Sequence, residues 1–306
     1  MSSRAKKPKL TKTPISEIFL KACEEGNMEK IKSCLALDVD INCTDEEGHS
    51  ALFKVLRYLF CFGKKEKEEK EIVDTFLQNP DLDVEQINRE KILGWNLDAD
   101  QIRKLCNLPD IDVNAGNPLR QAALANDTAI IKILAENPGL NWNNNEDGDY
   151  PIMSALRCGH HEIVELLLEE PTVDLDVLLG QKSVAHVAVM RKERKVVSHD
   201  SSPVKCVELL SKDPRVNWSA KDGNGETPIM IALKNEDKEI LKILFKTPGV
   251  DLGDIIKTDR GNDLLKEMLR EADETKKREL VKEIRERLAS TLPECPVSLE
   301  LKNPIL

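Results

Sequence analysis

The sequence predicts an all-α chain of stacked helix pairs. Three observations predict it: a recurring proline-headed phrase, an apolar stripe at fixed distances before each proline, and a turn with a capping residue upstream. The phrase runs proline, any residue, aliphatic, Asp or Asn, apolar, polar. It stands at Pro80, Pro109, Pro138, Pro171, Pro214 and Pro248 as PDLDVE, PDIDVN, PGLNWN, PTVDLD, PRVNWS and PGVDLG. Seven residues before each proline is an aliphatic residue (Val73, Ile102, Ile131, Val164, Val207, Leu241) and four before it another apolar one (Phe76, Leu105, Leu134, Leu167, Leu210, Leu244). Positions three apart share one helix face, so each phrase closes a helix with a buried stripe, and proline marks the stop because it cannot continue the helix.

The first helix of each pair is read from the element before the stripe, at Gly48–Val55, Asn117–Ala122, Gly148–Ala155, Ser183–Ala188 and Gly225–Ala232. Ser50, Asn117, Ser183 and Thr227 stand where a side-chain oxygen can accept a hydrogen bond from a free N–H of the first turn. Pro118, Pro151 and Pro228 occupy the first helical position, where proline is tolerated. Gly26, Asn126 and Gly159 fall where this helix must reverse, a place that favours positive φ. The unit is turn, helix, tight turn, helix, extended loop.

Residues 222–252 (DGNGETPIMIALKNEDKEILKILFKTPGVDL) and 148–175 (GDYPIMSALRCGHHEIVELLLEEPTVDL) resemble the ankyrin repeat, and Pro118, Pro151 and Val184 keep its period of 33 residues. The resemblance runs from about Ile15 to about Leu269. It implies a solenoid of antiparallel helix pairs, with hairpin loops to one side and a binding surface along the loop tips and concave inner helices. We read a basic tail at 1–14, about seven repeats at 15–262 with inserts at 64–71 and 191–203, a helical cap at 263–290 and a tail at 291–306. Both inserts are expected as loops between the helices of a pair. Proline intervals of 29, 29, 33, 43 and 34 show two shortened repeats and one lengthened. The third repeat lacks a recognisable turn and cap, so its first helix is not expected with the others. Leu264, Leu265, Met268 and Leu269, then Leu280, Val281, Ile284 and Leu288, give the stripes of the cap.

Composition narrows the function classes. The 306 residues are 40% hydrophobic, 33% charged and only 4% aromatic, which suits thin stacked repeats better than one deep core. The net charge of -10 argues against nucleic acid, whose phosphates demand clustered lysine and arginine. It favours basic or neutral partners, and a protein partner with a basic surface is expected. No apolar run reaches the ~20 residues of a bilayer span, so no membrane partner is expected. The eight cysteines lack any C-x-x-C spacing and read as reduced thiols. A monomer in the cytoplasm or nucleus is expected, with Arg4, Lys6, Lys7, Lys9 and Lys12 as either an import signal or a solvated tail.

No constellation points to catalysis, a cofactor, a metal or a small-molecule substrate. His161, Glu162 and Glu165 approach the zinc-protease pattern, but the second histidine is missing. Ser183 and His186 could suggest a nucleophile and its base, yet no third group orients them. The resemblance instead implies that the hydroxyl caps a helix and that the histidine bonds to loop backbone. Trp142 and Trp218 share the phase of Val84, Val113, Leu175 and Leu252 and are expected to pack beneath the loops. Cys295 in PECPVSLELKNPIL resembles the first ligand of a RING finger, but Ser298 stands in place of the second.

The expected function is a non-catalytic interaction scaffold or adaptor. Two rivals are the substrate-recognition part of a ubiquitin ligase and a nuclear regulatory protein. Asp45 and Asp222 are expected to hold their own turns. Glu46, Glu47, His49, Glu146, Asp149, Tyr150, Asn224 and Glu226 are the candidate partner-binding residues, with the acids among them free of structural duty. Ser202, before Pro203 in the second insert, is the candidate phosphorylation site.

Overall fold

Each stripe that precedes a proline phrase lies on a helix in the computed structural model, which describes residues 13–62, 67–95, 97–146, 148–190 and 203–253 together with Gly261 and Lys282. The basic residues through Lys12, Ser202 with most of its insert, the stripes of the cap and the RING-like tail with Cys295 lie outside the described residues. The chain forms two compact units, residues 1–147 and 148–306.

Unit 1 contains α1 (Pro14–Glu24), α2 (Met28–Ala36), α3 (Ala51–Phe62), α4 (Lys67–Leu77), α5 (Val84–Arg89), α6 (Ala99–Cys106), α7 (Pro118–Ala125) and α8 (Thr128–Ala135). Unit 2 contains α9 (Pro151–Cys158), α10 (His161–Glu169), α11 (Val184–Val189), α12 (Pro203–Lys212), α13 (Pro228–Lys234) and α14 (Lys238–Leu244). Within each unit the first helix of a pair packs on the second and on the helices of the neighbouring pair, as α1 does on α2 and α3, and α11 on α9, α12 and α13. The twelve stripe residues are all buried, none more than 1% exposed. Removing such side chains from water supplies roughly 1.5–3 kcal/mol each. A two-residue hairpin, β1 (Leu178–Leu179) and β2 (Lys182–Ser183), precedes α11. It closes through Gly180 and Gln181, both at positive φ as a tight primed turn requires.

Gly26, Asn126 and Gly159 adopt φ of 62°, 57° and 74° at the reversals, as their positions demanded. At Gly26 sterics reinforce the conformation, because a Cβ there would lie 2.1 Å from the Tyr58 ring.

Two expectations are corrected. The first insert is not loop throughout, since from Lys67 its residues belong to α4. The third repeat does possess a first helix, α5, although it is only 6 residues long. Asp83 caps it, its Oδ1 accepting from the N–H groups of Glu85 (3.0 Å) and Gln86 (3.3 Å). The cap was hidden because Asp83 is also the fourth residue of the preceding proline phrase. A 3-10 turn, Ile92–Gly94, follows in place of further helix. Gly94 is obligatory there, since a Cβ would sit 2.1 Å from the Gly116 carbonyl oxygen.

The Asp or Asn at the fourth position of each phrase does the same work throughout. In Asp83, Asp112, Asn141, Asp174, Asn217 and Asp251, and in Asp40 of the proline-free loop after α2, Oδ1 accepts from the N–H two residues on, at 2.8–3.1 Å. This short polar side chain fixes the bend. Asparagines in unit 1 then tie each loop to the next. Asn42 donates to the Asp81 carbonyl and accepts from the Asp83 N–H. Asn88 spans Asp110 and Asp112 in the same way, and Asn114 spans Gly139 and Asn141. In unit 2 the Arg215 guanidinium, paired with Asp213, donates to the carbonyls of Leu168, Glu170, Pro171 and Val173, bracing the end of α10. Asp213 is held below the usual carboxylate range chiefly by its hydrogen bond from Arg215.

Candidate hairpin-tip binding site

Two loop tips, one in each unit, repeat one backbone device. In residues 45–49, Asp45 Oδ1 accepts from the N–H groups of Glu47 and His49, both at 2.9 Å, while the Asp45 N–H donates to the His49 carbonyl. In residues 222–226, Asp222 Oδ1 accepts from the N–H groups of Asn224 and Glu226, also at 2.9 Å, and the Asp222 N–H donates to the Glu226 carbonyl. Gly48 and Gly225 close the tips at φ of 85° and 77°. Asp45 and Asp222 thus hold their own turns. Glu46, Glu47 and Asn224 are exposed at the tips, and His49 is half-buried with its ring stacked on Phe53 at 4.5 Å.

The remaining candidates fall differently. Asp149 is 5% exposed and turned inward, accepting from Ser154 Oγ (2.8 Å) and Arg157 (2.6 Å). Glu226 accepts from Lys234 Nζ, and Glu146 accepts from Lys91 Nζ. These three carboxylates therefore have structural partners, contrary to the reading that gave them no structural duty. The pairs Asp149–Arg157 and Glu226–Lys234 share one register: an acid before the first-helix cap meets a base eight residues later. That offset was visible in GDYPIMSALR and GETPIMIALK. Tyr150 is half-buried at the N-cap of α9. Trp218 is buried (3% exposed) as its phase requires, whereas Trp142 is only half-buried, which corrects the expectation for it.

The wiring beneath the tips includes groups the sequence did not flag. Lys54, 6% exposed on an otherwise apolar face of α3, places Nζ 2.8 Å from Asp45 Oδ2 and 3.2 Å from Glu24 Oε2. Burial alone would lower the Lys54 pKa, but the Asp45 and Glu24 carboxylates outweigh it and hold the ammonium above the ordinary lysine value. Burial would likewise raise Asp45, yet hydrogen bonds from Lys54 and from the His49 N–H hold it below the usual range. From the following repeat, Glu90 accepts from both the N–H and the hydroxyl of Ser50 at 2.6 Å, and Gln86 donates to the Gly48 carbonyl at 3.0 Å.

In unit 2 the corresponding link is His186, fully buried, whose Nε2 lies 2.9 Å from the Glu226 carbonyl oxygen. A carbonyl only accepts, so Nε2 carries the proton. Nδ1 then accepts from the Ser183 N–H (3.2 Å) and lies 2.7 Å from Ser183 Oγ. Burial, opposed by Asp222 and assisted by Lys182, pushes the His186 pKa down and keeps the ring neutral. Ser183 and His186 are therefore engaged in structural bonds that fix the next tip.

Among the described residues, Asp45, Glu47 and His49 are the one grouping of three metal-type ligands, with His49 Nδ1 3.6 Å from Asp45 Oδ2 and 3.3 Å from Glu47 Oε2. The Lys54 ammonium already sits on that Asp45 oxygen. Burial raises the thiols of Cys23, Cys43 and Cys106, with Cys43 pushed up to about 12, so none is poised as a thiolate.

An aromatic row crosses unit 1. Phe53 meets Trp95 edge to face at 5.2 Å, and Trp95 meets Phe60 in the same way at 6.0 Å. Phe60 is 69% exposed, and Phe53 and Trp95 are half-buried. No helix among the described residues is long and apolar enough to cross a membrane.

Comparison with known proteins agrees with this architecture. Models described as ankyrin repeats match residues 64–178 and 119–199, and a further one matches 185–245. The chain is 26% identical over 188 residues to YahD of Escherichia coli (strain K12), described as an ankyrin repeat protein; the match covers 49% of this chain and 94% of that one. Similar solved structures include an ankyrin repeat domain from Acinetobacter baumannii AYE (TM-score 0.43, 19% identity, 76% of this chain and 98% of that one). Another is the ankyrin repeat domain of human ASB11 (TM-score 0.41, 18% identity, 86% and 99%). Taken together the family models span residues 64–245, more than half of the 306-residue sequence, and the chain belongs to the ankyrin-repeat family.

Proposed function

We propose that this chain is a non-catalytic adaptor that recognises a protein with a basic surface through its hairpin tips. Ankyrin-repeat domains are protein–protein interaction modules. The observation that carries the finer reading is the tip of residues 45–49, where Glu46 and Glu47 are exposed on a backbone already locked by Asp45. A rigid tip spends little conformational entropy on binding, and exposed carboxylates steer a basic partner during encounter. Asn224 occupies the corresponding exposed place in unit 2 as a neutral hydrogen-bonding group.

Affinity capture with the full chain, followed by measurement of direct binding with the purified partner, tests the reading. The expected partner presents lysine or arginine at the contact and binds more weakly as salt rises. Binding indifferent to salt, or a partner face bearing acids, overturns the basic-surface assignment.

A further inference from the structure

The first helices of the five later repeats, α5, α7, α9, α11 and α13, are 6–8 residues long, whereas α3 of the second repeat has 12. On one side α3 packs against α1. On the other, α5 ends after 6 residues and gives way to the 3-10 turn Ile92–Gly94. The C-terminal half of α3 therefore overhangs the short third repeat, and Trp95, directly after that turn, meets it. Phe53 and Phe60 stand seven residues apart, on one face of α3 and about two turns from each other. Both meet Trp95 edge to face, at 5.2 and 6.0 Å, and His49 carries the row to the hairpin tip by stacking on Phe53 at 4.5 Å. A single exposed ring is ordinary. A contiguous row ending in Phe60, 69% exposed, marks an interaction surface. Arg57, on the same face between the two phenylalanines, reaches Glu24, and at the tip end of the row Glu46 and Glu47 are exposed.

We propose that this overhang seats an amphipathic helix of the protein partner, lying along α3 with its apolar stripe on Phe53, Trp95 and Phe60 and lysine or arginine at its end beside Glu46 and Glu47. Two features commit the surface to that occupant. The spacing of Phe53 and Phe60 matches the repeat of the apolar stripe on a helix, so anchors one and two turns apart on the partner meet successive rings. The charge is one-sided, with acids at the tip end and uncharged rings at the Phe60 end. Its complement is a segment that is basic at one end and apolar along one face. Large aromatic side chains are also the groups on which interface energy concentrates. The assignment rests on the protein-binding reading above and deepens it by naming the shape and chemistry of the segment that the partner presents.

The test pans the full chain against a displayed library of random peptides of about 15 residues, long enough to close a helix. Each enriched peptide is then measured against the parent, Phe60→Ser, Phe60→Tyr and the Glu46→Lys, Glu47→Lys double variant. The expected peptides carry apolar residues at helical spacing with lysine or arginine toward one end, gain helical circular dichroism on binding and shift the Trp95 indole N–H in NMR. They should bind Phe60→Ser and the double variant about tenfold more weakly than the parent. Phe60→Tyr keeps the ring and should bind as the parent does. Phe60→Ser alters an exposed position, so its thermal unfolding should match the parent and separate lost binding from lost fold. Enriched peptides without helical apolar spacing, peptides without a base, or no peptide whose binding needs the Phe60 ring overturns the proposal. Basic peptides that bind the parent and Phe60→Ser alike overturn it while the tip reading stands. Helical peptides that need Phe60 yet bind the double variant as tightly as the parent overturn the tip reading and, with it, the charged end of the proposed helix.

Discussion

In the tip of residues 45–49 and the tip of residues 222–226 the same aspartate accepts the same two backbone N–H groups at the same 2.9 Å. What stands behind them differs. The first tip is underpinned by charge: Lys54, 6% exposed, bridges Asp45 and Glu24. The second is underpinned by a neutral ring, His186, which donates from Nε2 to the Glu226 carbonyl and must stay unprotonated at Nδ1 to accept from the Ser183 N–H. The fold therefore fixes tip geometry locally, through one short acidic side chain, and leaves each repeat to choose its support. That choice sets how each tip responds to mutation and to pH.

The largest contrast should come from removing the aspartates. Asp45→Ala deletes two backbone hydrogen bonds and strips a buried ammonium of its nearer partner. It should cost about 3 kcal/mol, less than a fully orphaned buried charge because Glu24 still reaches Lys54. Asp222→Ala loses the two backbone bonds without a buried cation and should cost about 2 kcal/mol. Urea unfolding of both variants measures the difference, and equal losses would mean that Lys54 contributes nothing to the first tip.

Acid should separate the tips in a different way. The His186 pKa is depressed in the folded chain, so its contribution is complete above the unfolded value of about 6.5. It is lost as pH falls through the folded value, where the unfolded state binds the extra proton. Asp45 is also depressed, but its contribution persists until pH falls below the carboxylate range, about 3.9 when unfolded. Between pH 7 and pH 5, hydrogen-exchange protection, taken relative to the intrinsic rate at each pH, should therefore fall at the Glu226 amide and hold at the His49 amide. His186→Gln should remove that pH dependence, and a parallel loss of protection at both amides would contradict the assignment.

Loop braces should matter less. Arg215→Lys keeps the charge but cannot reach four carbonyls at once, and should cost about 1.5 kcal/mol in urea unfolding. Asn114→Ala breaks one two-point bridge between exposed loops and should cost about 1 kcal/mol.

The helix pairs were legible because proline, the stripe at minus seven and minus four, and the first-helix caps each carry a local signal. So was the Asp45 and Asp222 lock, which lies within five residues. The first helix of the third repeat was missed because its cap, Asp83, also serves the loop before it. Asp149 and Glu226 were misread because their partners, Arg157 and Lys234, lie across a turn and two helical turns away. Only alignment of one repeat on another shows the shared offset. Lys54 carried no signal as a support, since its partners Glu24 and Asp45 come from a different helix and a loop. Trp142 and Val84 share the phase of the buried Val113, Leu175, Trp218 and Leu252 but are half-buried, so phase places a side chain under a loop without fixing how well that loop covers it.

The central claim is that the first tip recruits a basic partner through the exposed carboxylates of Glu46 and Glu47. Its most direct test is the association rate of the Glu46→Lys, Glu47→Lys double variant with the captured partner, at low and high salt. Substitutions at these exposed positions should change stability by no more than about 0.5 kcal/mol. The account predicts association slowed several-fold at low salt, rates that converge with the parent at high salt, and dissociation little altered. A folded variant whose association rate and salt dependence match the parent would contradict it.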